Sequence, residues 1–324
     1  MYPCFRVLAL GLSILGAAAV HAQSDAYPNR PIRFIVPYPP GASVDITARL
    51  VAGKLGDRLK QPLVVDNIGG AGGVIATETA ARAAPNGYTL LFGTGAGMVV
   101  ARLLNNKLPY HPVTDFQPIS QVVSNPLVVL VSNASQVNSV AEFIALAKRE
   151  PGKLNFGSAG SGAPNHIGGE LFKSMAGIDI VHVPYKGGAQ AQIDLISGRI
   201  QMYMGSIPGL LPGIKAVKWK AIAVSTPRRS GALPDVPTMA EAGVPGYEFD
   251  TWYGIFAPAK TGTTIVTRLN RELLVVLSEP EFVKSMASQG SELRGTSPEV
   301  LGTTVRNEYE RLGKVIESIG PISQ

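Results

Sequence analysis

Cysteine is nearly absent: the 324-residue sequence has one, at position 4. One cysteine cannot form a disulfide within the chain, so burial of apolar surface has to hold the fold together. Histidine is scarce, with four in the chain, and charged residues make up only 16%. This leaves little material for a metal cluster or a nucleophile–base pair. No HExxH, no GxSxG and no phosphate loop ending in Gly-Lys-Ser/Thr occurs. Gly93-Thr94-Gly95-Ala96-Gly97 has the glycine spacing of a nucleophile elbow but carries Gly95 where the nucleophile belongs. Gly160-Ser161-Gly162-Ala163-Pro164-Asn165 approaches a dinucleotide fingerprint, yet Asn165 replaces its third glycine. A net charge of +6 over this length is a weak field without a basic stripe, which argues against nucleic acid as a partner. Beyond the first 22 residues no run reaches 18 apolar residues. No metal and no cofactor is expected.

What is present begins with a segment that reads as a discarded leader. Arg6 supplies a positive start, Val7 to Val20 is apolar apart from Gly11, Ser13 and Gly16, and Val20-His21-Ala22 ends on a small residue. This is the pattern of a cleaved secretory signal over residues 1–22, with an uncleaved anchor as the alternative. Cys4 precedes the apolar run, so it is not the lipidated cysteine of a lipoprotein. The expected location is the periplasm.

The whole sequence is 45% hydrophobic, with 36 glycines and 25 prolines to punctuate it. Ile32 to Val36 reads as a strand, and Ala48, Val51, Ala52, Leu55 and Leu59 then fall on one helix face. Strand Leu63 to Asp66, helix Val74 to Ala83 and strand Thr89 to Phe92 follow. The rhythm resumes with strand Leu127 to Val131, helix Val140 to Arg149, strand Leu154 to Phe156 and a helix carrying Ile167, Leu171, Phe172 and Met175. Such alternation predicts a parallel sheet with helices on both faces. The unit from Arg33 to Asn67 is repeated in kind by the unit from Leu154 to Lys186, as two facing α/β lobes would require. Strand Phe249 to Gly254 and helices Thr263 to Ser278, Pro280 to Ser288 and Ser297 to Ile319 should pack back on the first lobe. The expected organisation is residues 27–124 plus 250–324 as lobe 1 and 125–249 as lobe 2.

Five Gly-rich joints link strand-like to helix-like stretches: Pro39 to Ser43, Gly69 to Gly73, Thr94 to Gly97, Ala159 to Gly162 and Lys186 to Ala189. Joints of this kind expose backbone N–H groups at the positive end of a helix, and they gather at the carboxyl edge of an open sheet. A small carboxylate suits them. Basic side chains are nearly missing from the joints, so N–H groups and the hydroxyls of Thr94, Ser158 and Ser161 would do the holding. Asp45 either satisfies its helix start or accepts from a ligand hydroxyl or ammonium. Tyr38 and Tyr185 either wall a cleft or cap the core, and His166 at a helix start reads first as a structural donor. A secreted hydrolase using Ser158 or Ser161 with His166 or His182 is the reading from a different class.

Several motifs together resemble a known family. They are Tyr27-Pro28-Asn29-Arg30-Pro31-Ile32-Arg33, Pro37-Tyr38-Pro39-Pro40-Gly41 with Asp45, Val64-Val65-Asp66-Asn67 with Gly70-Ala71-Gly72-Gly73, Ala84-Pro85-Asn86-Gly87-Tyr88, His182-Val183-Pro184-Tyr185-Lys186-Gly187 and Leu233-Pro234-Asp235-Val236-Pro237-Thr238. The set is similar to the Bug family, periplasmic solute-binding proteins of tripartite tricarboxylate transporters. The resemblance implies an α/β two-lobed flytrap, not an enzyme, that closes on an organic acid and delivers it to membrane permease subunits. A ligand-loaded sensor for a membrane signalling protein is the alternative output, and a monomer is expected. The resemblance places Tyr38, Gly41, Ala42, Ser43, Asp45, Thr94, Gly95, Ser158, Ala159, Ser161, Gly162, His166, Tyr185 and Ser206 as candidate ligand contacts. Three departures bear on which acid fits: Ala42 where a second glycine is usual, Ile68 where a basic residue is common, and Met204-Gly205 in place of an aromatic and an acidic residue.

Overall fold

The computed structural model describes residues 27–288 and 291–319, so the leader segment 1–22 lies outside the described residues. Two mixed sheets organise the rest. The first runs in the order β11 (Glu292–Leu293), β4 (Phe116–Ser124), β10 (Tyr253–Pro258), β3 (Thr89–Thr94), β1 (Ile32–Val36), β2 (Leu63–Asn67). The second runs β7 (Val181–Pro184), β6 (Asn155–Ser158), β8 (Met202–Ser206), β5 (Leu127–Ser132), β9 (Trp219–Val224).

Each sheet is built around the repeated unit seen in the sequence. Strands β1 and β2 pair in parallel through helix α1 (Ser43–Leu59), with Ile32 opposite Leu63. Strands β6 and β7 pair in parallel through a helix at Pro164–Ala176, with Asn155 opposite Val181. Each helix has apolar residues on the side it buries: Val44, Ala48, Val51, Leu55 and Leu59 in α1, and Ile167, Leu171 and Phe172 in the other.

The expectation of a parallel sheet is corrected at three strands. β10 is antiparallel to both β3 and β4, β11 is antiparallel to β4, and β5 is antiparallel to both β8 and β9. The cause is the way the chain passes between sheets. It leaves the first by running from β4 through Asn125 and Pro126 into β5, and it returns through residues 249–252 into β10. The two passages lie side by side, with reciprocal backbone bonds between Asn125 and Thr251 (3.2 Å each way) and a bridge between Pro126 and Asp250. A return beside an exit runs the opposite way, and β10 keeps that direction into the sheet. Phe249 to Trp252, expected as part of the strand, is therefore the passage that precedes it.

Helices α2 (Val74–Ala81), α3 (Ala101–Leu104), α4 (Val140–Arg149), α5 (the Pro164–Ala176 helix), α6 (Gly188–Ile196), α7 (Ile207–Lys215), α8 (Thr263–Leu277), α9 (Pro280–Ser288) and α10 (Pro298–Ile319) complete the fold. Helix α8 packs on α1 and β4, as foreseen, and the buried Glu272 of α8 receives Arg58 of α1 through Nε (2.9 Å) and Nη2 (2.7 Å). Helix α10 does more than return to the first lobe. It packs on β4 and also on α5, and its Leu301, Val305, Leu312, Val315 and Ile316 join one apolar core with Leu91 and Phe256 of the first sheet, Val129 and Phe156 of the second, and Phe172 of α5.

Packing here is close enough to demand glycine. A Cβ on Gly169 of α5 would stand 2.3 Å from Cε2 of Phe156, whose ring has no solvent exposure. Gly169→Ala is expected to lose about 1–3 kcal/mol despite alanine's better helix propensity, because the ring cannot retreat. A urea midpoint equal to or above that of the native chain would contradict this.

Candidate ligand-binding site

A cleft of about 650 Å³ opens between the sheets. Its walls come from the joints before three helices, from the loop after β3 and from the passages between the lobes. The start of α1 gives Ala42, Ser43, Val44, Ile46 and Thr47, and the loop after β3 gives Thr94, Gly95 and Ala96. Across the cleft stand Gly162 and Pro164 at the start of α5 and Ser206 and Pro208 at the start of α7. Asn125, Phe249, Asp250, Thr251 and Trp252 line it from the passages, with Tyr38, Tyr253, Ser291 and Glu308 completing the wall.

None of these three helices is capped by a side chain. The residues at the capping positions are Ala42, Ala163 and Ser206, and no side-chain bond closes any of them. Proline occupies the first turn of α5 and of α7, where its missing N–H is one fewer donor to satisfy. The remaining first-turn N–H groups of α5 and α7 therefore meet the cleft region with no acidic side chain in the first turn, a setting that favours an anion, while α1 carries Asp45 in its first turn, paired with Arg49. No lysine, arginine or histidine is among the residues lining the cleft.

Of the residues singled out in the sequence, Tyr38, Ala42, Ser43, Thr94, Gly95, Gly162 and Ser206 stand on this wall. Buried Thr94 accepts the Gly97 N–H (3.2 Å) and shares a hydrogen bond with the Tyr38 hydroxyl. Tyr253 similarly meets Ser43, and burial raises both phenols above their ordinary range.

Gly41, Asp45, Ser158, Ala159, Ser161, His166 and Tyr185 lie behind or beside the wall. Asp45 is 2% exposed and ties the first joint together: its Oδ2 accepts the Gly41 N–H (2.9 Å), and its Oδ1 accepts Asn67 Nδ2 (2.8 Å) and pairs with Arg49 Nε (3.0 Å). Burial alone would raise this carboxyl, but Arg49, Asn67 and the Gly41 N–H outweigh it and hold it below the ordinary carboxylate range. Gly41 sits at φ +86°, a conformation that suits glycine, and the Asp45 bond fixes it there. Asp45→Ala is expected to destabilise the chain by about 1–3 kcal/mol, since three donors lose one acceptor group. A urea titration with an unchanged midpoint would show that the joint does not depend on this carboxylate.

Ser158 has no exposure and serves its own loop. Its Oγ accepts the Gly160 N–H (3.1 Å) and lies 2.6 Å from His182 Nε2. His182 stacks on His166 with ring centroids 3.8 Å apart. Burial, then the His166 neighbour, pushes His182 down to about 4, and burial lowers His166 as well. Both rings are neutral at pH 7, and His166 Nδ1 accepts the Gly162 N–H (3.0 Å), positioning a residue of the cleft wall. Tyr185 donates from its hydroxyl to Asp194 Oδ2 (2.8 Å) and packs in the core around Leu195 and Tyr203. Ile68 is a half-buried apolar contact, and Gly205 is bare because a Cβ there would meet Leu210 and Tyr203, each at 2.7 Å.

The sequence reading missed the passages and α10. Asp250 Oδ2 accepts from the Ser124 hydroxyl (2.5 Å), and burial pushes its carboxyl up to about 6. Glu308 is 5% exposed, accepts the Trp252 indole N–H at 2.5 Å, and is pushed up to about 8, chiefly by burial and further by Asp250, with the indole bond opposing. One signal was available for Glu308. It follows Leu301 and Val305 and precedes Leu312 and Val315 at alternating spacings of four and three, so an acid occupies the buried stripe of a helix.

The sequence model of the family described as tripartite tricarboxylate transporter family receptor matches residues 47–321. The chain belongs to that family. Protein BugT of Bordetella pertussis is 36% identical over 97% of this chain and 98% of its own length. A solved structure described as a periplasmic transporter is 40% identical, with a TM-score of 0.72, covering 92% of this chain and 99% of the other. Rpa4515 of R. palustris, solved with adipate, is 36% identical at a TM-score of 0.71 and covers 90% of this chain and 97% of its own. MatC of Rhodopseudomonas palustris, solved with malate, is 30% identical at a TM-score of 0.69 and covers 89% and 99%. The protein is thus a solute-binding receptor of the tripartite tricarboxylate transporter family and not an enzyme, and its fold is the two-lobed α/β fold of these binding proteins.

Proposed function

We propose that this receptor captures an organic carboxylate in the periplasm between its two lobes and passes it to the membrane permease subunits of a tripartite transporter. The observation that carries the reading is the convergence of the uncapped starts of α1, α5 and α7 on one cleft. Adipate in Rpa4515 and malate in MatC support the same class of ligand. We assign lobe 1 to residues 27–124 plus 250–324 and lobe 2 to 125–249, and residues 1–22 to a cleaved export signal. We take the receptor to act as a monomer, since residues of a single chain line the whole cleft. Capture proceeds by closure about the paired passages at Asn125 and Thr251.

A thermal-shift panel of mono-, di- and tricarboxylates tests this. At about 100 times its dissociation constant, a bound acid adds about 2.7 kcal/mol and raises the melting temperature. A shift with neutral sugars and with none of the acids would overturn the carboxylate reading.

A further inference from the structure

We propose that the cleft selects a monocarboxylate with an apolar body, aromatic or aliphatic, and that Asp250 acts against a second carboxylate. The inference deepens the carboxylate reading above and rests on it. Val44, Ile46, Val100, Pro208, Phe249 and Trp252 give the cleft an apolar lining that suits a hydrocarbon body. The only carboxyl groups among its lining residues are Asp250 and Glu308, and no cationic side chain stands among them.

The cations that act on these two acids are paired with other groups as well. Arg294 meets the Ser124 hydroxyl (3.3 Å) and Glu292 (3.3 Å), and Arg311 pairs with Glu248 (4.0 Å). Arg311 faces a second hollow of about 330 Å³ behind Asp250, Trp252 and Glu308, together with Glu248 and Glu299. One ligand carboxylate can be held by the helix starts. A second would have to shed its water in a wall without a compensating cation and with the Asp250 carboxylate already present. The apolar body of a monocarboxylate asks for neither.

Matched probes separate these cases. Isothermal titration at neutral pH would compare hexanoate with adipate, which share a six-carbon chain, and benzoate with terephthalate. The expected result is that the monocarboxylate of at least one pair binds more tightly by about tenfold or more, and that neither pair shows the reverse. Adipate binding as tightly as hexanoate, with terephthalate matching benzoate, would overturn the selection while leaving carboxylate capture intact. Failure of all four acids and of a tricarboxylate such as citrate would overturn the carboxylate reading itself.

Asp250→Asn assigns the cause. In the folded variant the preference for the monocarboxylate is expected to shrink, because the dicarboxylate gains more than the monocarboxylate. A preference unchanged in this variant would remove the role given to Asp250. If the variant does not fold, the matched pairs on the native chain still decide the selection.

Discussion

Trp252→Ala is expected to remove about 3–5 kcal/mol of stability, among the largest losses a single truncation in this chain can produce. The indole is 1% exposed and its ring lies 6.0 Å from that of Phe256. It also stands between the ligand cleft and the hollow behind it, lining both. Truncation would merge the two spaces and strip Glu308 of its indole donor at the same time. Trp252→Phe separates these effects in part: it keeps a six-membered aromatic ring while losing the N–H with the rest of the five-membered ring, so a smaller loss of about 1–3 kcal/mol is expected. Urea unfolding of both variants measures the difference. Equal losses would mean that the hydrogen bond to Glu308, not the volume of the indole, holds the partition.

The second large effect is on the pH dependence of stability. Glu308 has an ordinary value of 4.5 and is pushed up to about 8 in the folded chain. Between those values the folded state keeps a proton that the unfolded state has released. Stability therefore falls as pH rises across this window, by roughly 3–5 kcal/mol from this group, and its full contribution is present below about 4.5. Asp250, raised from 3.8 to about 6, adds a smaller fall in the same direction at lower pH. Glu308→Gln keeps an acceptor for the indole and cannot ionise. The lowered His182 and His166 oppose this fall below about pH 6.5, so the test lies above it. The unfolding free energy of Glu308→Gln, measured in urea from about pH 6.5 to 8, is expected to be nearly level where that of the native chain declines. A native profile that is flat or rises from about pH 6.5 to 8 would refute the assignment.

The parts of this fold that were legible in the sequence are those specified by local periodicity. The bounds of α8 and α9, the two βαβ units and the five strand-to-helix joints all follow from apolar spacing and from where glycine interrupts it. Direction and partnership were not legible. Nothing in Tyr253 to Pro258 states that the strand will lie between β3 and β4, because its neighbours are contributed by distant segments. The binding cleft divides in the same way. Tyr38, Ala42, Ser43, Thr94, Gly95, Gly162 and Ser206 were reachable because they sit on joints, where glycine and hydroxyl residues mark the turn from strand to helix. Asp250 was not, since it joins the wall through tertiary packing, and Glu308 was legible only as an acid in a buried helix stripe, not as part of the wall. Ser158 and Tyr185 share the joint signature but turn to His182 and Asp194. A motif locates a loop, while the side-chain direction depends on partners that the motif does not contain.

The position of β10 bears on the order in which the molecule assembles. Strands β5 to β9 are consecutive in the chain and make the second sheet without help, so that sheet can form from nearby segments. The first sheet cannot. Its β10 arrives only after the whole second sheet has been traversed, and without it β3 and β4 share no edge. Closing so long a loop carries an entropic cost before any pairing offsets it, and contacts this distant slow folding. The lobe that begins the chain is therefore the last to be finished, and until then β3 and β4 each keep an open edge on which a stray strand could add.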